Sequence, residues 1–168
     1  MLFRSGVSPA FGTKIHRTTA GLPHSQVIRR LIAGIEEAGG KARIVRMMHT
    51  ADTSFLGLSA ARISGSGIGI GLQAKGTTVI HKADLAPHMN LELFSMAPLI
   101  TEDDYHAIGR NAALYAQRKS PEPISVPYGG QALGARFHVR TALLHAIDTE
   151  MTDPEAEPQN VEVRFHDS

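Results

Sequence analysis

Apolar residues recur along this chain with two different spacings, and the change from one to the other marks its elements. Leu2 to Val7 reads as a short strand, closed by Ser8-Pro9-Ala10-Phe11-Gly12. Ile15 to Thr19 is a weak connecting segment ahead of Gly21-Leu22-Pro23. From about Ser25 to Ala38 the spacing turns helical. Val27, Ile28, Leu31, Ile32 and Ile35 form one stripe, with Gln26, Arg29, Arg30, Glu36 and Glu37 outside it. Ser25 or His24 is the expected cap, and Gly39-Gly40 offers a left-handed exit. Ala42 to Met48 then reads as a strand.

Thr53 to Ile63 fits either a strand or a helix capped by Asp52 or Thr53. Ile68 to Gln73 and Thr77 to His81 read as two strands flanking a Lys75-Gly76 turn. Asp84 to Met96 is irregular, with Pro87 inside it, and Leu91 to Phe94 is a short strand or turn. A second helix is expected from about Glu102 to Lys119. Thr101 is its N-cap, Asp104 holds the capping-box position, and Tyr105, Ile108, Ala112 and Tyr115 form its inward stripe. Acids at 102–104 and bases at 118–119 suit the helix dipole, and Pro121 and Pro123 stop the helix. Residues 120–135 form a connector. Phe137 to Ile147 and Val161 to Phe165 are predicted strands, joined by the acidic linker Thr152 to Pro158. The pattern predicts a mixed α/β sandwich. It forms a single domain over residues 1–168, with a core over about 1–123 and a strand-rich part over 136–166.

Composition narrows the function classes. The net charge is +1, from 17 basic and 16 acidic side chains, which leaves no electrostatic footprint for nucleic acid or an anionic membrane. No apolar run approaches the ~20 residues of a membrane span, and Met1-Leu2-Phe3-Arg4-Ser5-Gly6 is too short and polar for a signal peptide, so a cytoplasmic protein is expected. The chain has no cysteine, hence neither disulfides nor thiolate chemistry. With no tryptophan and 5% aromatic residues, the core must be mainly aliphatic.

The most distinctive stretch is SGSGIGIGLQAKGTTVIH at 64–81. Glycines at 65, 67, 69 and 71 leave one strand face almost bare, open to a partner chain or a large flat ligand. A phosphate-binding loop does not fit, because Lys75 precedes Gly76-Thr77 and a strand follows where a helix is required. Gly69-Ile70-Gly71-Leu72-Gln73-Ala74 matches the dinucleotide fingerprint by letters, but the helix that must follow is missing.

Catalytic constellations are equally scarce. His81 and His88 stand seven apart, as do His138 and His145, and neither spacing is a helical ligand pair; structural or surface roles fit them better. No nucleophile elbow occurs, and the acid pairs belong to solvated helix faces. What remains suggests binding. Lys75 sits at a glycine-flanked turn where its ammonium can meet a phosphate or carboxylate. Thr77 and Thr78 add hydroxyls and the turn's N–H groups are accessible, while Asp52 and Asn90 lie in loops on either side and suit a ligand rich in amides. A salt-bridged lysine beside two turn-forming residues accounts for the same letters.

Longer blocks carry a family resemblance. SPAFG at 8–12, GLPHSQVIRRLIAGIEEAGGKARIVR at 21–46, the glycine stretch at 64–81, NLELFSMAPLIT at 90–101 and IGRNAALYAQRKSPEP at 108–123 together resemble the medium subunit of adenosylcobalamin-dependent diol and glycerol dehydratases. The likeness spans almost the whole chain and weakens after Pro127. It implies a Rossmann-like mixed sheet flanked by helices, covering the nucleotide-side face of adenosylcobalamin. The cofactor would be shared with a large subunit that dehydrates 1,2-propanediol or glycerol to an aldehyde. Large and small subunits are the implied partners, in a dimer of heterotrimers, and this chain itself is non-catalytic.

Carried over by position, the family's cobalamin contacts fall at Asp52, Lys75, Thr77, Asn90 and Leu93, with Ser95 as a sixth position where the family usually has proline. In this reading Lys75 meets the nucleotide-loop phosphate, Asp52 and Asn90 hold corrin amides, and Leu93 packs on an apolar face. The bare glycine strand lets the backbone approach the corrin or the large subunit. The polar N-terminal extension associated with packaging into microcompartments is not seen, so a free cytosolic complex is expected. The rival reading is the small subunit of a dehydratase-reactivating chaperone, a protein-interaction module of similar fold. Lys75-Gly76-Thr77-Thr78 and the block from Asn90 to Phe94 favour the cofactor-binding subunit over it.

Overall fold

The computed structural model describes residues 1–127 and 130–163, apart from the side chains of 130–133. Six strands form one mixed sheet in the order β5-β4-β3-β1-β2-β6. They are β1 (Leu2–Val7), β2 (Lys41–Arg46), β3 (Ile68–Leu72), β4 (Thr78–Lys82), β5 (Glu92–Phe94) and β6 (Gln159–Val161). β1 runs parallel to β2 and β3, whereas β4, β5 and β6 join antiparallel at the two sides. The helices are α1 (His24–Glu37), α2 (Thr53–Ile63), α3 (Glu102–Ala116) and α4 (Gly130–Glu150). The arrangement is the expected mixed α/β sheet flanked by helices.

The two faces of the sheet are built from different residues. Register sets Val7 beside Leu72, Ser5 beside Ile70 and Ile70 beside Ile80. Val7, Ile70, Leu72 and Ile80 join Phe3 and Ile44 as the large apolar side chains that pack under α1 and α3. The opposite face holds Gly6, Gly69 and Gly71, against which α2 lies. A Cβ on Gly71 would stand 2.7 Å from Thr53 O, and one on Gly69 2.6 Å from Ala60 C. The glycine face is therefore not open to a ligand or a partner, as its bareness suggested. It is filled by the backbone of α2, which only residues without a Cβ admit this closely.

Local chemistry explains the elements, with three departures from expectation. Ambiguous residues 53–63 form a helix because Asp52 caps them, Oδ1 accepting Phe55 N at 3.1 Å. The α3 capping box forms as expected between Thr101 and Asp104. At α1 neither Ser25 nor His24 caps; the N-cap is Pro23, without a side-chain bond, and the His24 ring turns inward. Gly39 supplies the left-handed exit at φ 90°.

The largest departure is residues 137–147, which belong to α4 rather than to a strand, so the region beyond 136 is not strand-rich. Phe137, Thr141, Leu144, His145 and Asp148 point inward at helical spacing. Three of those five residues are polar, which hides a helical pattern from hydropathy. The connector expected over 120–135 accordingly ends where α4 begins. Of the expected strand Val161–Phe165, Val161 closes β6, while 164 and 165 lie outside the described residues.

Candidate functional site

In an open α/β sheet, ligands settle beyond the carboxyl ends of the strands where the connections change face. Here that point lies between β1 and β3, since the β1-to-β2 connection carries α1 on one face and the β2-to-β3 connection carries α2 on the other. A cleft of about 310 Å³ opens there. The β3–β4 hairpin contributes Gln73, Lys75 and Thr77, and the first residues of α2 contribute Asp52, Thr53 and Ser54. Leu93 and Ser95 come from β5 and its exit, and His145 from α4.

The hairpin is locked from beneath. Gly76 N donates to Gln73 O at 2.9 Å, with Gly76 at φ 110°, and Gln73 N donates to Thr77 O at 3.0 Å. Tyr105 Oη and Thr78 Oγ1 each donate to Gly76 O at 2.8 Å. Ala74 N donates to Ser8 Oγ at 2.9 Å and Asp148 Oδ2 at 3.1 Å, and Ala74 O accepts from His24 Nε2 at 2.8 Å. Internal bonds thus occupy the N–H groups of Ala74 and Gly76 as well as the Thr78 hydroxyl, all expected to face a ligand. Side chains face the cleft instead.

Those side chains are short of partners. Gln73 Nε2 donates to Ala51 O at 2.5 Å, which fixes the amide and leaves buried Oε1 without a donor. Thr77 Oγ1 and His145 Nδ1 are likewise buried and unpartnered. Among the described residues no carboxylate lies within ion-pair distance of Lys75. Burial holds the Lys75 ammonium below its ordinary pKa, opposed by the negative charge of Asp148. His145 is also lowered, first by burial and then by Lys75, against the pull of Asp148 and Asp52. A buried polar atom without a partner forfeits about 1–3 kcal/mol, and three such atoms belong to residues lining this cleft. Leu93, in the cleft wall, is an apolar side chain 49% exposed.

The structure thus brings together Asp52, Lys75, Thr77, Leu93 and Ser95, while Asn90 is half-buried in the loop before β5 and does not line this cleft. Gln73 and His145 were not anticipated, nor was Asp148, whose fully buried carboxylate also accepts from Ser8 Oγ at 2.6 Å and Ala10 N at 2.8 Å. Their trace in the sequence is two polar residues, His145 and Asp148, one helical turn apart in an apolar run.

A larger cavity of about 390 Å³ at the start of α1 is less suited to polar recognition. There the Arg46 guanidinium already donates to Ser8 O, Pro9 O and Phe11 O, and Arg17 to Gly21 O. The His24 nitrogens are both engaged, and burial holds this ring neutral with its pKa lowered to about 4. His81, fully buried, holds the following loop through Pro87 O at 3.0 Å. Among the described residues no group of three or more His, Asp or Glu is placed to hold a metal ion, and no helix is long and apolar enough to cross a membrane.

Fold and cleft together define an open α/β chain with a polar cleft at the switch point of its sheet. The chain belongs to the dehydratase medium subunit family, whose family model matches residues 8–122. In fold it is similar to a glycerol dehydratase reactivase, with 24% identity over 70% of this chain and 93% of that one, at a TM-score of 0.57. It is also similar to a diol dehydratase-reactivating factor solved with ADP and Mg2+, at 18% identity over 76% of this chain and 96% of that one, TM-score 0.52.

Proposed function

We propose that this chain is the cobalamin-binding, non-catalytic medium subunit of a diol or glycerol dehydratase, assembled with a large and a small subunit. The observation that carries the proposal is the cleft itself. A half-buried ammonium with no carboxylate at ion-pair distance among the described residues and three buried polar atoms without a partner there come together at one cleft beside the exposed Leu93. That donor set suits adenosylcobalamin, whose periphery offers carboxamides, a phosphate and extended apolar surface. Lys75 would hold the phosphate, Thr77 and the free oxygen of Asp52 the amides, and Leu93 an apolar edge. When bound, the cofactor supplies the radical chemistry of a 1,2-diol dehydration, performed in the large subunit. This chain binds, orients and excludes water.

The reactivating-chaperone reading shares the fold, and retention of cobalamin is the property that separates the two. In a complex co-expressed with a large subunit, Lys75→Ala is expected to release cobalamin on gel filtration faster than the unmodified chain, with subunit assembly unchanged. Equal retention removes Lys75 from the site. Assembly with no cobalamin retained by either form favours the chaperone reading.

A further inference from the structure

The cavity at the start of α1 has no lining residue in common with the β3–β4 cleft, and one of its polar groups is only partly used. Arg46, at the end of β2, stands half-buried in its wall. The bonds it makes, to Ser8 O at 3.2 Å, Pro9 O at 3.3 Å and Phe11 O at 2.5 Å, all leave from Nη1. A guanidinium carries five N–H bonds, so among the described residues Nε–H and both Nη2–H bonds stay without an acceptor. No carboxylate there stands at ion-pair distance from it. The acid whose charge supports it is Asp148, already committed to Ser8 Oγ, Ala10 N and Ala74 N.

Most of the remaining wall is apolar. Val7, Phe11, Ile28 and Ile44 are buried around the cavity, and Val161 and Val163 bound it from the edge of the sheet. Its volume of about 390 Å³ lies at the low end of small-ligand sites, which span about 300–1,000 Å³. Arg17 and Arg46 outnumber its one acid, the exposed Glu162. The adjacent Nε–H and Nη2–H donors of a guanidinium match the two oxygens of a carboxylate. Inorganic phosphate satisfies the same fork but leaves the apolar walls uncovered.

We infer that this cavity binds a small monocarboxylate with a compact aliphatic body, its carboxylate accepting from Nε and Nη2 of Arg46 and its body lying between Phe11, Ile28, Ile44 and Val161. The bonds from Nη1 to the loop at residues 8–11 hold the fork in place before a ligand arrives, which lowers the ordering cost of binding. The site goes beyond the medium-subunit reading and does not depend on it, since none of these residues serves the proposed cobalamin contacts.

Calorimetric titration of the full chain with hexanoate, hexanol, acetate and inorganic phosphate separates head from body. Hexanoate is expected to bind saturably, and about tenfold or more tightly than each of the other probes. Two variants locate the site. Arg46→Lys keeps the charge but loses the fork, and is expected to weaken hexanoate about tenfold. Val163→Phe leaves Arg46 untouched, fills the cavity from the sheet edge, and is expected to weaken hexanoate by at least as much with an unchanged thermal midpoint. Should Arg46→Lys fail to fold, Val163→Phe decides alone. Hexanol or phosphate bound as tightly as hexanoate, full affinity retained by Val163→Phe, or no saturable binding at all overturns the carboxylate site. None of these results bears on cobalamin retention, which tests the medium-subunit reading separately.

Discussion

Acidification should unfasten this fold at one ring. His24 is 3% exposed, stacked on Phe11 with centroids 3.9 Å apart, and used at both nitrogens. Nδ1 accepts Gly12 N at 2.8 Å and Nε2 donates to Ala74 O at 2.8 Å, so only the neutral Nε2–H tautomer satisfies the site. Burial is the main reason its pKa falls from 6.5 to about 4, with the bond to Ala74 O opposing and the charges of His16 and Arg46 adding slightly. Between those values the unfolded chain binds more protons than the folded one. The stability attached to the neutral ring is therefore complete above about pH 6.5 and is lost as pH falls toward about 4. A shift of this size corresponds to about 3 kcal/mol in full and about 2 kcal/mol by pH 5. Urea unfolding at pH 7 and pH 5 measures it. The unmodified chain should lose about 2 kcal/mol more over that interval than His24→Gln, which keeps a donor and an acceptor but does not titrate. Parallel losses in the two proteins would refute the reasoning.

Three further outcomes concern the supports of the cleft. Gly71→Ala should destabilise by about 1–3 kcal/mol through overpacking, since the new Cβ would meet Thr53 O at 2.7 Å and Gly57 Cα at 2.8 Å; an unchanged thermal midpoint contradicts the close seating of α2. Asp148→Asn should lower stability by about 2–4 kcal/mol, because an amide cannot accept from Ser8 Oγ, Ala10 N and Ala74 N together. Tyr105→Phe should lower it by only about 1 kcal/mol, because Gly76 O keeps the Thr78 hydroxyl. Calorimetry that ranks Tyr105→Phe as the more damaging contradicts this hydrogen-bond assignment.

Periodicity revealed α1 and α3 because their buried stripes are mainly apolar, Val27 to Ile35 in one and Tyr105 to Ala112 in the other. It failed at α4 because the inward residues there include Thr141, His145 and Asp148, polar side chains where an apolar stripe would have shown the helical period. The glycines of β3 were visible, but their occupant was not. An alternation of Gly69 and Gly71 says that something approaches closely without saying whether it is a ligand or the chain's own helix. The site shows the same division. Asp52, Lys75 and Leu93 were placed together by resemblance, being too far apart in sequence for any local rule, whereas Gln73 and His145 emerge only when hydrogen-bond partners are traced in space.

The central claim is that this chain completes a cobalamin site. It is tested most directly by the cobalamin bound per large subunit after desalting, read from the visible spectrum, with and without this chain present. The account predicts that retained cobalamin rises toward one per large subunit when the chain is bound, and falls back when Lys75 and Thr77 are replaced together. A stable complex that retains no more cobalamin than the large subunit alone would contradict it.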